Sequence, residues 1–383
     1  MDYFLTEEQK MIIETAKNLA EKRIKPVRQK YDEEEIFPWD IVKEIAAADL
    51  CGLYIPREYG GFGGGVFELC LAVEELSKVC GGISLSMAAT ALGTFPILLF
   101  GSEEQKKKYL PDLASGKKLA AFGLTEANAG SDAGAMQTTA KQEGDYFILN
   151  GTKQWITNGG EAEVYSVIAM TDKSRGSRGA TAFIVEKGMP GFDFGKKENK
   201  MGIRASATRE LVFRDCRVPK ENVIGKIGGG FIVTVNTLYN SRPGVAAQAL
   251  GIAAGALDEA IRYSRVRRQF DQAISSFQAI QHMLADMATE VEAARALLYA
   301  TAKTIDSGAK DFAKESAMCK LFCSDVAMRV TTNALQVFGG YGYMKEYPME
   351  KYMRDAKITQ IYEGTNQIQR NEIALQLIRS AAK

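Results

Sequence analysis

The feature that most constrains this chain is a change of hydrophobic period, made twice. Up to about residue 117 the apolar residues recur at helical spacing, and from about 118 they alternate in short runs broken by Gly, Asn and Pro. Beyond about residue 226 helical spacing returns and holds to the end. An order of helix, sheet, helix excludes a regular βαβ repeat and excludes a simple bundle. The chain is therefore expected to be α+β, with an N-terminal α-helical domain over 1–117, a middle antiparallel β domain over 118–225, and a C-terminal helical domain over 226–383.

Local signals sharpen each block. Thr6-Glu7-Glu8-Gln9 is a capping box that opens a helix expected to run to about Lys30, and Ser102-Glu103-Glu104-Gln105 is a second box. Between them, helices are expected over Ile41 to Asp49 and near 67–79 and 83–100. In the middle block Tyr146-Phe147-Ile148-Leu149 leads into Asn150-Gly151, a hairpin signal. Further strands are expected over Glu163 to Met170, Ala180 to Glu186 and Glu210 to Arg214. Long amphipathic helices are expected near 230–268, 275–307, 311–338 and 366–381.

Several chemistries are argued against by what the chain contains. With a net charge of +1 there is no electrostatic case for nucleic acid or an acidic membrane. The one histidine, His282, lies in a helical run, which speaks against a metal centre and against a Ser-His-Asp triad. No G-x-x-x-x-G-K loop is present, and the glycine clusters at 60–65 and 228–230 do not make G-x-G-x-x-G. The six cysteines are scattered without a C-x-x-C pair, as expected of free thiols in a reducing compartment. The first residues carry no basic and apolar leader, so a cytoplasmic setting is expected. No apolar run is expected to span a membrane, the longest candidate being Pro243 to Leu257. Carboxylates, hydroxyls, backbone amides and a bound organic cofactor remain as the sources of chemistry.

One stretch stands out, Ile361-Tyr362-Glu363-Gly364-Thr365-Asn366-Gln367. Read alone, Glu363 is either a solvated residue at a helix start or a carboxylate held among Ile361 and Tyr362. In the second case desolvation raises its pKa and fits it to take a proton next to a carbonyl.

Five stretches in order give the resemblance. They are Phe122-Gly123-Leu124-Thr125-Glu126-Ala127-Asn128-Ala129-Gly130-Ser131-Asp132, Gln154-Trp155-Ile156-Thr157-Asn158-Gly159, Arg267-Arg268-Gln269-Phe270, Gln336-Val337-Phe338-Gly339-Gly340-Tyr341-Gly342 and Tyr362-Glu363-Gly364-Thr365. Together they resemble the acyl-CoA dehydrogenase family over essentially the whole chain, nearest to its short-chain, butyryl-CoA branch. The resemblance implies a helical domain, a β-barrel-like domain and a four-helix bundle, with FAD as cofactor.

It also implies roles for residues. Phe122, Leu124, Thr125, Gly130 and Ser131 would cradle the flavin and the thioester, with Ser131 on the ligand. Trp155, Ile156 and Thr157 would lie beside the flavin, although alone they read as a strand with an interior tryptophan. Arg267, Gln269, Phe270, Phe277 and Gln278 would reach the FAD of a neighbouring subunit, and a guanidinium suits its pyrophosphate. Gln336, Gly339 and Gly340 would approach the adenine side, and Thr365 and Gln367 would complete the cofactor site. Tyr239, Ser241, Arg242, Tyr362 and Gly364 would line the substrate channel. Sites shared in this way imply a homodimer, and a dimer of dimers beyond it.

The implied reaction is α,β-dehydrogenation of an acyl-CoA thioester. Glu363 would remove the α-proton while the β-hydrogen leaves as hydride to flavin N5, and electrons would pass to electron-transfer flavoprotein. Some family branches carry the base near residue 241, but Tyr239 to Gly244 contains no acid. The acyl pocket is expected around Ser86 to Thr94, whose small residues leave open a straight C4, branched, alicyclic or dicarboxylic chain. Three alternatives stand beside this reading: an oxidase passing electrons to O₂, an enoyl-CoA reductase working in the opposite direction, and a non-catalytic assembly protein, against which the intact Glu363 speaks.

Overall fold

The computed structural model describes residues 1 and 3–381. The first block holds α1 (Glu7–Leu19), α2 (Arg28–Glu33), α3 (Trp39–Ala47), α4 (Val66–Ser77), α5 (Gly81–Phe100) and α6 (Glu103–Ala114). Both capping boxes form. The Thr6 hydroxyl accepts from Gln9 N while the Gln9 side chain accepts from Thr6 N, and Ser102 and Gln105 repeat the exchange. The first helix is shorter than expected. It turns π-helical over Ala20–Ile24 and breaks around Pro26, which has no N–H to continue the ladder.

The middle block holds β1 (Ala120–Gly123), β2 (Thr139–Glu143), β3 (Tyr146–Thr157), β4 (Val164–Met170), β5 (Ala180–Glu186), β6 (Phe192–Lys197), β7 (Thr208–Pro219) and β8 (Val223–Ile224). The sheet runs β6-β7-β3-β2-β4-β5-β8, with β1 laid against β4. Two features correct the expectation. The sheet is mixed, because β1 pairs with β4 in parallel and β2 meets β4 in parallel at Thr139 and Met170. Asn150-Gly151 is not a turn either. β3 runs straight through it with a bulge, and the hairpin lies at Gly144-Asp145. The Asn150 side chain is already used there, donating to Asp215 Oδ1 at 3.0 Å and accepting from Asp215 N at 2.8 Å. Aromatic residues Phe147, Tyr165, Phe183, Phe192 and Phe213 fill the core of this lobe.

The last block holds α7 (Gly230–Val266), a small hairpin of β9 (Arg268–Gln269) and β10 (Gln272–Ala273), α8 (Gln278–Asp306), α9 (Ala313–Phe338), α10 (Met349–Thr359) and α11 (Asn366–Ala381). Helix α10 is absent from the expectation for a physical reason. Its inward face carries Lys351 paired with Asp355, both buried, and Arg354 bonded to Asp32 at 2.8 Å, so charge hides what period would reveal. The α7 and α4 backbones touch. A Cβ at Gly251 would lie 2.3 Å from Glu74 O, and one at Gly255 would lie 2.0 Å from Lys78 O.

The apolar-run expectation is also corrected. Residues 81–100 and α7 are each long and apolar enough to cross a membrane by length and composition. The most apolar windows of both helices are largely buried inside the protein, 72% for α5 and 83% for α7, as the central helices of a large core would be. All six cysteines are free and buried.

Candidate active site

Glu363 sits in the turn between α10 and α11 with φ +52°, followed by Gly364 at φ +90°. Left-handed backbone is disfavoured for a glutamate and natural for the glycine. The turn persists because it is tied from several sides. Gln369 Nε2 donates to Glu363 O at 3.2 Å and to Gly364 O at 2.9 Å, and Asn366 N donates to Gln360 O at 3.0 Å. Thr365 caps α11 by accepting from Ile368 N at 3.3 Å. Asn366 Nδ2 reaches α9, donating to Ser324 Oγ at 2.9 Å and Asp325 Oδ1 at 2.7 Å.

The half-buried Glu363 carboxylate accepts from the Ser241 hydroxyl at 2.5 Å. Burial raises its pKa above the ordinary carboxylate value, opposed by the Ser241 hydrogen bond and by the Arg242 and Lys320 cations. Arg242 is 5% exposed, and its Nε and Nη1 have no hydrogen-bond partner among the described residues. Such an orphaned guanidinium in a buried place is aimed at something the chain alone does not supply. Its face lies 5.5 Å from the Tyr239 ring, whose hydroxyl donates to Glu372 at 2.8 Å. No acceptor among the described residues takes the Glu363 N–H.

The β lobe contributes a second surface. A bulge in the β3–β7 pairing falls between Lys153 and Ile156, and Trp155 inside it has φ +56° and is 56% exposed. The bulge turns the indole out of the sheet, contrary to an interior tryptophan. Ile156 and Phe122 are buried, whereas Leu124, Thr125 and Thr157 are half-buried and Gly130 and Ser131 exposed. Helix α5 joins the two surfaces. Asn158 Nδ2 donates to Ser86 O at 3.0 Å and Thr90 Oγ1 at 3.2 Å, while Leu85 and Ala89 on the same helix pack with Tyr362.

A third group lies in an open cleft of about 730 Å³ lined by Arg267, Gln269, Phe270, Phe277, Gln336, Gly339 and Gly340, among others. Gln278 opens α8 beside it, exposed. The cleft lining includes neither Glu363 nor any residue of 122–157. A Cβ on Gly339 or Gly340 would meet nothing within 4 Å. Phe270 stands at the tip of the β9–β10 hairpin, 88% exposed, with φ +49° and Asp271 beside it at φ +59°. The structure thus sorts the expected residues into two sets: the Glu363 turn with Tyr239, Ser241 and Arg242, linked through α5 to the β-lobe lip, and the separate cleft.

The chain matches three family models in sequence order: acyl-CoA dehydrogenase N-terminal domain over residues 6–117, middle domain over 121–216 and C-terminal domain over 228–378. The chain belongs to the acyl-CoA dehydrogenase family. It is 49% identical over 381 residues to the short-chain specific acyl-CoA dehydrogenase of Clostridium acetobutylicum, covering 99% of this chain and 100% of that one. Butyryl-CoA dehydrogenase from Megasphaera elsdenii superposes with a TM-score of 0.96 at 49% identity, covering 99% of this chain and 100% of that one. A chain solved in work on the electron transferring flavoprotein of Acidaminococcus fermentans and flavin-based electron bifurcation gives 0.97 at 54% identity, covering 99% and 100%. FAD is the family's cofactor. The residues present fit it: a bare indole suits a flat ring, and a guanidinium beside open glycine backbone suits a dinucleotide's phosphates.

Some polar residues at the site escaped the sequence reading. Lys320 is fully buried on α9, beside the Glu363 turn. Lys153 is fully buried behind the β-lobe lip, donating to Leu124 O at 3.0 Å and Glu126 at 2.8 Å. Gln248 on α7 contacts the Tyr362 hydroxyl and donates to Gly81 O at 2.9 Å. Lys320 lies four residues from Ser316 and from Ser324, both buried on the inward seam of α9, but a lysine between two serines on one helix face reads as solvated in the sequence.

Proposed function

We propose that this acyl-CoA dehydrogenase removes the α-proton of a short-chain acyl-CoA with Glu363 as base, giving the trans-2-enoyl-CoA. The observation that carries this is a half-buried carboxylate with a raised pKa, beside a buried arginine whose Nε and Nη1 find no partner among the described residues. A base of this kind is matched to a weakly acidic proton better than an ordinary solvated carboxylate. Ser241 orients the carboxylate through its hydroxyl. The free Glu363 N–H is placed to donate to a thioester carbonyl held in the turn, and a donor of that kind is typically worth about 3–4 kcal/mol in the transition state. Bound FAD supplies the two-electron acceptor for the β-hydride. The remaining work of the chain is to exclude water and hold the thioester between the Glu363 turn and the flavin that the Trp155 lip would seat.

The short-chain reading rests on the packing of Tyr362, the residue before Glu363. Tyr362 packs with Leu85, Ala89, Ile203 and Ile358, and its hydroxyl meets Gln248. A polar contact between two bulky side chains leaves little depth for a long alkyl chain. The two-set arrangement further supports a cofactor site completed by the cleft of a second copy, hence a homodimer and a dimer of dimers. The matched family regions support three domains over 1–117, 118–225 and 226–383. The similar chain from work on an electron transferring flavoprotein supports that class of protein as electron partner, and the bacterial relatives support a cytoplasmic setting.

The test is an anaerobic panel of acyl-CoA thioesters, from C4 to C16 with branched, cyclic and dicarboxylic members, scored by flavin bleaching. The expected result is fastest bleaching by butyryl-CoA. Fastest bleaching by a long or dicarboxylic chain would overturn the short-chain reading, and none with any thioester would overturn the activity.

A further inference from the structure

Lys320 is a cation in a place where burial makes a cation costly. It is fully buried, and its Nζ donates to Gly364 O at 2.8 Å and to Asn366 Oδ1 at 2.9 Å. Both acceptors lie within three residues after Glu363. Gly364 O also takes the Gln369 amide, and Asn366 is itself fixed to Ser324 and Asp325. Lys320 therefore closes a ring of bonds that runs from α9 to the turn and holds Glu363 and Gly364 at positive φ. Packing alone does not call for an ammonium here, because an apolar side chain of similar volume fills buried space at no desolvation cost.

We infer that Lys320 is a positioning residue for the base: it locks the Glu363–Gly364 turn from behind and supplies a positive charge that the Glu363 carboxylate faces. The inference rests on Glu363 being the base. The charges around it are few. Glu363 faces the Arg242 and Lys320 cations and the Ser241 hydroxyl. Lys320 faces Glu363, Asp325 and Arg242, and Arg242 faces Glu363, Glu372 and Tyr239. Burial lowers the Lys320 pKa to about 7, so its charge is held weakly, yet a neutral amine keeps two N–H donors for its two acceptors. A nearby cation favours the ionised carboxylate, so removing the charge must move the Glu363 titration to higher pH.

The experiment follows anaerobic flavin bleaching by butyryl-CoA across a pH series in the FAD-loaded wild type, Lys320→Met, Lys320→Gln and Glu363→Gln. Lys320→Met is expected to lower the plateau rate by about 10- to 100-fold, as misplacement of a catalytic group does, and to move the acid limb upward. Lys320→Gln keeps a donor for Gly364 O. It is expected to recover most of the plateau rate while keeping the upward shift. An acid limb unmoved in both variants overturns the inference, whatever the plateau. Should Lys320→Met fail to fold or to hold FAD, Lys320→Gln decides: a shifted limb supports the inference and an unmoved one overturns it. Glu363→Gln separates the two layers, because wild-type bleaching in that variant would overturn Glu363 as base, whereas loss of bleaching there with unmoved Lys320 limbs overturns Lys320 alone.

Discussion

The Glu363 turn and the Phe270 cleft are built on opposite plans. In the turn most polar side chains find a partner within the chain: Ser241, Lys320 and Gln369 converge on Glu363, Gly364 and Asn366. In the cleft Phe270 stands 88% exposed at positive φ, and Arg267 lies over the Tyr341 ring, 5.1 Å from its centroid. A side chain that must sit within a fraction of an ångström of a reacting atom is held rigidly by its own chain. A surface that must grip a large cofactor is left open until that cofactor and, in the proposed assembly, a second copy arrive. The exceptions are polar atoms with no partner among the described residues, namely Arg242 Nε and Nη1, Gln369 Oε1 and the Glu363 N–H, and in the proposed site the arginine donors and the Glu363 N–H face the ligand.

This contrast can be broken from either side. The largest effect is expected from Glu363→Gln. Thioester binding should persist while the bleaching rate by butyryl-CoA falls by about 10²- to 10⁴-fold, the usual contribution of a general base; a spectral binding titration and stopped-flow bleaching would read the two separately. Next is the pH dependence of the wild type. The base must be ionised, and burial raises its pKa, so the bleaching rate should rise with pH and reach half its plateau above the ordinary carboxylate range, dropping about tenfold per pH unit below that point. A limb at an ordinary carboxylate pKa would mean a solvated Glu363. On the cleft side, Arg267→Ala should raise the FAD dissociation constant by roughly 10- to 100-fold, the size of a lost charge-assisted hydrogen bond, measured by flavin fluorescence on reconstitution. Smallest is Phe270→Ala, which should leave the unfolding free energy of the isolated chain within about 0.5 kcal/mol of wild type, as at other exposed positions. A large loss there would show that the hairpin tip is part of the chain's own core.

What the sequence disclosed follows the same division. The capping boxes at Thr6 and Ser102 were legible because each is a local exchange of bonds between residues three apart. Asn150-Gly151 misled because a turn-forming pair can instead form a bulge when a partner strand offers Asp215. Helix α10 was hidden because Lys351 and Asp355 neutralise each other inside the protein, which erases the apolar stripe that marks a helix. Parallel pairing of β1 with β4 depends on residues 44 apart, Ala120 and Val164, and no local pattern encodes it. At the site, Glu363 announced itself through its glycine and aromatic neighbours. Lys320 did not, because a lysine in a helix looks solvated until the turn it serves is in place. The resemblance set Arg267, Gln269, Phe270 and Phe277 apart from the base, but nothing in the order of the motifs tells that Gln336, Gly339 and Gly340 line the same cleft as they do.

The central claim is that one chain brings the base while another completes the cofactor site. It is tested most directly by co-expressing two damaged chains, one carrying Glu363→Gln and the other Arg267→Ala, and measuring anaerobic bleaching by butyryl-CoA in the mixed oligomer at an FAD concentration that loads the wild type but not the Arg267→Ala variant. A mixed dimer should contain one doubly damaged site and one intact site, so bleaching well above that of either variant alone is predicted. Bleaching no greater than the average of the two separate variants would place Arg267 and Glu363 at the same chain's site and contradict the account.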